Sequence, residues 1–146
     1  MKVLDRHHYA LALLFLRILL GIILIMQGYG KIFQYGVPEV YDMFFKSYAE
    51  STFLSEGILK LTAYFTSYVE FIGGLLIILG FFRMVSYLAV AIVLIVVSFG
   101  HGLVQPIWDL QHVFFRAVMV FTLLIIPASK DAFSADQIIN QIRLKK

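Results

Sequence analysis

Long apolar stretches, separated by short polar punctuation, organise this chain. Residues 9–30, 61–82, 84–104 and 112–128 each read as a membrane-crossing helix. The first is read as a retained span rather than a cleaved leader. Its apolar run is too long, Arg17 interrupts it, and no A-x-A site follows. Residues 31–60 mix acids (Glu39, Asp42, Glu50, Glu56) with aromatics (Tyr41, Phe44, Phe45, Tyr48, Phe53). Gly36, Val37 and Pro38 look like a helix start there, with proline at the first helical position. A short helix lying in the membrane interface suits that mixture. Arg83 marks a tight turn between the second and third spans, and a polar loop with Pro106, Trp108 and Asp109 separates the third from the fourth. After Pro127 and Lys130, Ser134 fits an N-cap with Gln137 three residues on, and Phe133 and Ile138 occupy the staple positions. Ala135, Ile138, Ile139 and Ile142 then share one face of an amphipathic tail helix. The pattern predicts an all-α membrane protein. The expected architecture is a four-helix transmembrane bundle with an interfacial loop helix after the first span and a C-terminal amphipathic helix, in one domain over residues 1–146.

Composition strengthens that reading. The chain is 61% hydrophobic and 14% charged, whereas soluble domains carry about 25% charged residues. The absence of cysteine removes thiol catalysis, thiolate metal sites and cysteine-held iron–sulfur clusters from this chain. The net charge of +3 is a matter of topology. Lys2, Arg6, Arg83, Lys130, Arg143, Lys145 and Lys146 fall on the side of the termini, and only Lys31, Lys46 and Lys60 fall opposite, beside acids. The positive-inside rule then places both termini in the cytoplasm of a multi-pass protein of the cell (inner) membrane. The expected partners are the lipid bilayer and either a membrane protein or further copies of the chain. No nucleic-acid signature is present, since the basic run 143–146 is explained by polar lipid.

One carboxylate breaks the second span. Glu70 lies near its centre, where a charge costs ~3 kcal/mol or more and needs a partner. Ala63, Ser67, Gly73 and Gly74 share its helical face, so the glutamate is expected in a close helix–helix seam. Arg17 interrupts the first span on a stripe with Gly21, Leu24, Gly28 and Lys31. Counted from the cytoplasmic ends of the two spans, Arg17 and Glu70 come within one or two turns of each other. An Arg17–Glu70 ion pair is therefore expected, either as a device that fixes helix register or as a proton relay.

A second group collects at the outer boundary. Gln27 and Lys31 end the first span, His101 ends the third, and His112 and Arg116 begin the fourth. This candidate outer mouth can receive an anion, a quinone headgroup or a polar partner, although snorkelling cations are ordinary at that depth. His101 and His112 also raise haem or metal ligation, but two histidines without ligand-rich spacing do not make such a site. Haem is not expected, and no metal.

These residues form a recognisable set. Arg17-x3-Gly21-x6-Gly28-x2-Lys31, ending in GYGKIF, is followed by Glu70-x2-Gly73-Gly74-x5-Gly80-Phe81-Phe82 and a late third-span histidine, His101. The chain resembles the DoxX-like family of small four-helix membrane proteins over residues 9–127. The resemblance implies a transmembrane bundle and a link to membrane redox chemistry, because DoxD-type relatives are subunits of an archaeal thiosulfate:quinone oxidoreductase. Quinone is the cofactor it suggests. The vitamin K epoxide reductase bundle is a poor comparison, since its chemistry needs a cysteine pair. The long loop after Lys31 and the capped tail are less typical of the family.

Three functions compete. The first is a subunit of a quinone-linked membrane oxidoreductase, with Glu70 relaying protons and His101 and Arg116 binding a quinone oxygen or an anionic substrate. The second is a non-catalytic structural or assembly subunit. The third is transport of a proton or small solute, ranked last because no broken helix or inverted repeat is visible.

Overall fold

The computed structural model describes residues 2–105 and 111–144, with side chains from residue 7 onward. The loop residues Pro106, Trp108 and Asp109, the terminal Lys145 and Lys146, and the side chains of Lys2 and Arg6 lie outside the described residues.

Among the described residues every element is helical. The first helix, α1 (Lys2–Tyr29), does not stop at Gly30. It runs on through a π-helical turn, Gly30–Tyr35, and ends only at Gly36, whose φ of +83° no other residue type adopts readily. Two short helices follow, α2 (Val37–Val40), with proline in its first turn, and α3 (Lys46–Ser51), joined by a second π-helical turn at Tyr41–Phe45. The long helices α4 (Glu56–Leu79) and α5 (Arg83–Val104) form an antiparallel pair. Then come α6 (Gln111–Ile125), a 3-10 turn at Ala128–Lys130 and the tail helix α7 (Ala135–Arg143).

Three segments are long and apolar enough to cross a membrane: His7–Tyr35, Glu56–Leu79 and Arg83–Val104. The fourth expected span ends earlier than the pattern predicted, at Ile125. Pro127 explains its early end, because the residue before a proline is driven out of the helical region. Ser134 caps α7 as expected, its Oγ accepting from the Gln137 N–H at 3.3 Å.

The α1–α4 seam is the closest helix contact. The buried stripe of α4, which includes Ala63, Ser67, Glu70, Gly74 and Ile77, faces α1 and the α2–α3 segment. A Cβ at Gly74 would sit 2.9 Å from the Gly21 carbonyl oxygen and 3.0 Å from the Ile25 nitrogen. A Cβ at Gly28 would sit 2.5 Å from the Phe71 nitrogen. Backbones touch at both places, which only small residues permit. The neighbouring Gly73 turns to α5 instead, where Val90 lies 3.2 Å from its virtual Cβ. The adjacent glycines thus serve two partners. Leu13, Leu20, Leu24, Ile77, Tyr87, Val90, Leu94, Val120 and Leu123 fill the space between α1, α4, α5 and α6. Val37, Tyr41, Leu59 and Ala63 form a second, smaller cluster that holds the α2–α3 segment against the start of α4.

The turn between α4 and α5 is equally constrained. Gly80 takes a left-handed conformation (φ +66°), and Phe81 and Gly80 return N–H groups to the Leu76 and Ile77 carbonyls. Phe82 is also left-handed (φ 47°), an uncommon state for a bulky residue. Asp136 of α7 compensates: its carboxylate accepts from the Phe82 N–H at 3.1 Å and the Arg83 N–H at 2.9 Å.

Gly28→Ala forces two backbones apart and is expected to cost about 1–3 kcal/mol, read as a lower unfolding midpoint in detergent. Gly102→Ala, with nothing within 4 Å of the added methyl, is the control and leaves that midpoint unchanged or slightly raised.

Candidate functional site

The seam sets the depth of each buried charge. Glu70 lies fourteen residues after Glu56 and ten before Gly80, or ~21 Å and ~15 Å from the two ends of α4 at the helical rise. Its side chain is 3% exposed. Small neighbours make the space for it, with Ser67 turning its hydroxyl back to the Ala63 carbonyl at 2.6 Å.

The partner of Glu70 is Lys31. The Lys31 ammonium donates to Glu70 Oε2 at 2.7 Å. Lys31 sits in the π-helical turn that prolongs α1; such turns are uncommon and recur at functional sites. On the other side, Arg116 Nη1 of α6 stands 4.0 Å from Glu70 Oε1 and donates to Gln27 Oε1 at 2.5 Å, while its Nε donates to the His112 carbonyl at 2.8 Å. Lysine, glutamate, arginine and glutamine from three helices therefore converge near mid-span.

An aromatic layer adjoins this cluster. The His101 and His112 rings lie 5.0 Å apart at 75°, and the Tyr48 hydroxyl lies 3.2 Å from His101 Nδ1. Tyr48 reaches there from α3. It was not a sequence candidate, and the one signal for it was its place among the aromatics of a long loop. Asp109, expected just before His112, lies outside the described residues. Among the described residues no group of three or more metal-ligating acids, histidines or cysteines is present.

The expected Arg17–Glu70 pair does not form. A Cβ at Gly80 would overlap Arg17 Nη1, so Arg17 lies level with the end of α4, ten residues and ~15 Å below Glu70. The expectation counted depth from Tyr9, where the apolar run of α1 begins. The bundle floor is at Arg17 instead, and the turns of α1 before it pack against the segment that follows α6, with Lys130 over the Tyr9 ring at 5.3 Å. Arg17 has its own acid. Arg17 Nε and Arg83 Nε each stand 3.5 Å from Asp131 Oδ2, and Arg17 Nη2 donates to the Phe133 carbonyl at 3.1 Å. Arg17 and Asp131 are both fully buried. Burial pushes the Asp131 carboxyl above its ordinary value, the Arg17 and Arg83 guanidiniums pull against that, and Asp136 adds to the rise. Asp131 was missed because it follows the last span, in a stretch whose polarity reads as solvent-exposed.

A family model described as DoxX matches residues 12–102. The chain belongs to the DoxX family. No curated protein and no solved structure matches it. Within this DoxX chain, Glu70, Lys31, Gln27, Arg17, Arg83 and His101 fall inside the matched region, whereas Arg116, His112 and Asp131 fall beyond it.

Asp131→Asn leaves Arg17 and Arg83 buried without an acid and is expected to cost about 3–5 kcal/mol of stability, measured by thermal unfolding in detergent. The double replacement Arg17→Met with Asp131→Leu is expected to cost less than the sum of its two single changes.

Proposed function

We propose that this DoxX protein is a four-span inner-membrane subunit, with both termini cytoplasmic, of a quinone-linked oxidoreductase complex, and that Glu70 carries its proton step. One observation bears most of the weight. A carboxylate stands near the middle of an apolar span, contacted by two cations from two other helices. Two cations against one acid leave a local positive excess, and at this site the partly exposed Lys31 opens that excess to an electron-rich oxygen. A quinone carbonyl is such a group, and its reduction consumes protons that an apolar site cannot draw from water.

The residues suit that chemistry. Lys31 is 27% exposed at its side chain and in direct contact with Glu70, so it links the buried acid to the outside. Arg116, held by Gln27 and by the His112 carbonyl, is a fixed donor, and His101 with Tyr48 offers a second polar layer beside it. With no cysteine in the chain, the electrons come in this reading from a partner subunit that bears a redox group. The positive-inside count of lysines and arginines supports the orientation.

The competing reading is a non-catalytic assembly subunit, in which the same cluster only fixes the packing of α1, α4 and α6. It is favoured by one feature: every member of the cluster has a protein partner.

Glu70→Gln separates the two. In membranes from cells that lack the chain and are complemented with either form, the variant is expected to lower quinone-dependent electron transfer about 100-fold, with protein level and co-purifying partners unchanged. Wild-type activity in that variant overturns the proton-carrying role. Loss of the protein or its partners together with the activity supports the assembly reading.

A further inference from the structure

An open cleft of about 630 Å³ lies where α5 begins, α6 ends and α7 crosses. Its two walls differ in kind. Met84, Leu124 and Ile126, from the ends of the apolar helices, form one, and Gln137, Asn140 and Arg143, from α7, border the other. Asp136 also lines it, but both of its oxygens are taken by the Phe82 and Arg83 N–H groups. Arg83 at its edge is engaged by Asp131 and the Ala128 carbonyl. Arg143 is exposed and forms no ion pair among the described residues. Among the described residues the charges around this end of the bundle are Arg17, Arg83, Arg143 and Lys130 against Asp131 and Asp136, an excess of cations.

The way α7 docks fixes its surroundings. It attaches through Asp136, on its polar side, and through the Asp136 N–H to the Gly80 carbonyl at 3.1 Å. Ile138 and Ile142 point away and stay 49% and 55% exposed. Ile139 borders the cleft, and a helix that fixes its polar side to the protein while leaving two isoleucines outward is placed for the boundary of a bilayer. The cleft therefore opens at headgroup depth, at the ends of two apolar helices.

We propose that this cleft seats one anionic phospholipid. Its phosphate lies on the Arg143 guanidinium with the Gln137 and Asn140 amides as further donors, and its first acyl carbons lie along Met84, Leu124 and Ile126. Guanidinium and amide N–H groups are the donors that a phosphodiester takes, and the apolar wall excludes a ligand that is only an anion. The proposal rests on the chain being a membrane protein and is independent of the quinone-linked reading.

The test is native mass spectrometry of the delipidated full chain in detergent, with phosphatidylglycerol or phosphatidylcholine added. One phosphatidylglycerol per chain is expected to be retained, in preference to phosphatidylcholine. Arg143→Gln is expected to weaken that retention about five-fold. Asn140→Trp, which fills the cleft from an exposed helical position, is expected to abolish it, whereas Gln141→Trp, on α7 outside the cleft, leaves it intact. Thermal unfolding of each variant reports whether α7 stays docked. Equal retention of both lipids, retention unaltered in both Arg143→Gln and Asn140→Trp, or displacement by an equal concentration of inorganic phosphate overturns the proposal.

Discussion

The backbone contact between α1 and α4 governs the rest of this molecule. At Gly28 and Gly74 backbone meets backbone, and at Gly21 the Ile78 side chain and the Gly74 carbonyl oxygen fill the space a Cβ would take, so the register of the two helices is fixed. That one register brings Lys31 level with Glu70 and sets Arg17 beside Asp131 and Arg83. Sliding α1 by one turn, ~5.4 Å, would break both contacts at once. Glu70, stranded near mid-span, would alone cost ~2.5–3.5 kcal/mol in a bilayer. Packing and electrostatics therefore specify the same alignment, and each penalises the alternatives the other would allow.

Much of this was legible in the sequence, for identifiable reasons. The apolar runs are long, so the major helices could be read from pattern alone, and the small residues around Glu70 announced a close seam. The cap at Ser134 and the helix start at Pro38 are local chemistry that needs no tertiary knowledge. The pairing of charges was the failure. Depth was counted from where the hydrophobic run of α1 begins, but α1 extends well past the end of α4, so Arg17 was placed near mid-span rather than at the floor. Hydropathy marks what is apolar; it does not mark where a neighbouring helix stops. The same error set Glu70 apart from the outer group, when Gln27, Lys31 and Arg116 of that group are its neighbours. The π-helical turn that carries Lys31 beyond the end of α1 was not foreseen, because nothing in the sequence signals such a turn.

The tail segment is structural to a degree its composition concealed. Asp131 supplies the acid for two arginines, and Asp136 relieves the strained turn at Phe82 by capping α5. Arg17 and Gly80 lie within the region matched to the DoxX family, but the acid that neutralises Arg17 lies beyond it. In this chain the floor of the bundle is completed by the segment after α6. The overlap between Arg17 and any Cβ at Gly80 shows how little room was left there for another arrangement.

The two charge clusters make an instructive pair, because each sets two cations against one acid. What differs is access. Arg17 and Asp131 are sealed, and only Arg83, at the edge of the cleft beside α7, is slightly exposed. In the upper cluster Lys31 is partly exposed, Glu70 is buried behind it, and the His101, His112 and Tyr48 layer stands alongside. A charge group that only holds helices together gains nothing from an opening, since water weakens the attraction. The chain keeps one such group closed and leaves the other open at Lys31. That contrast supports the proposal of chemistry at the upper cluster and not at the lower.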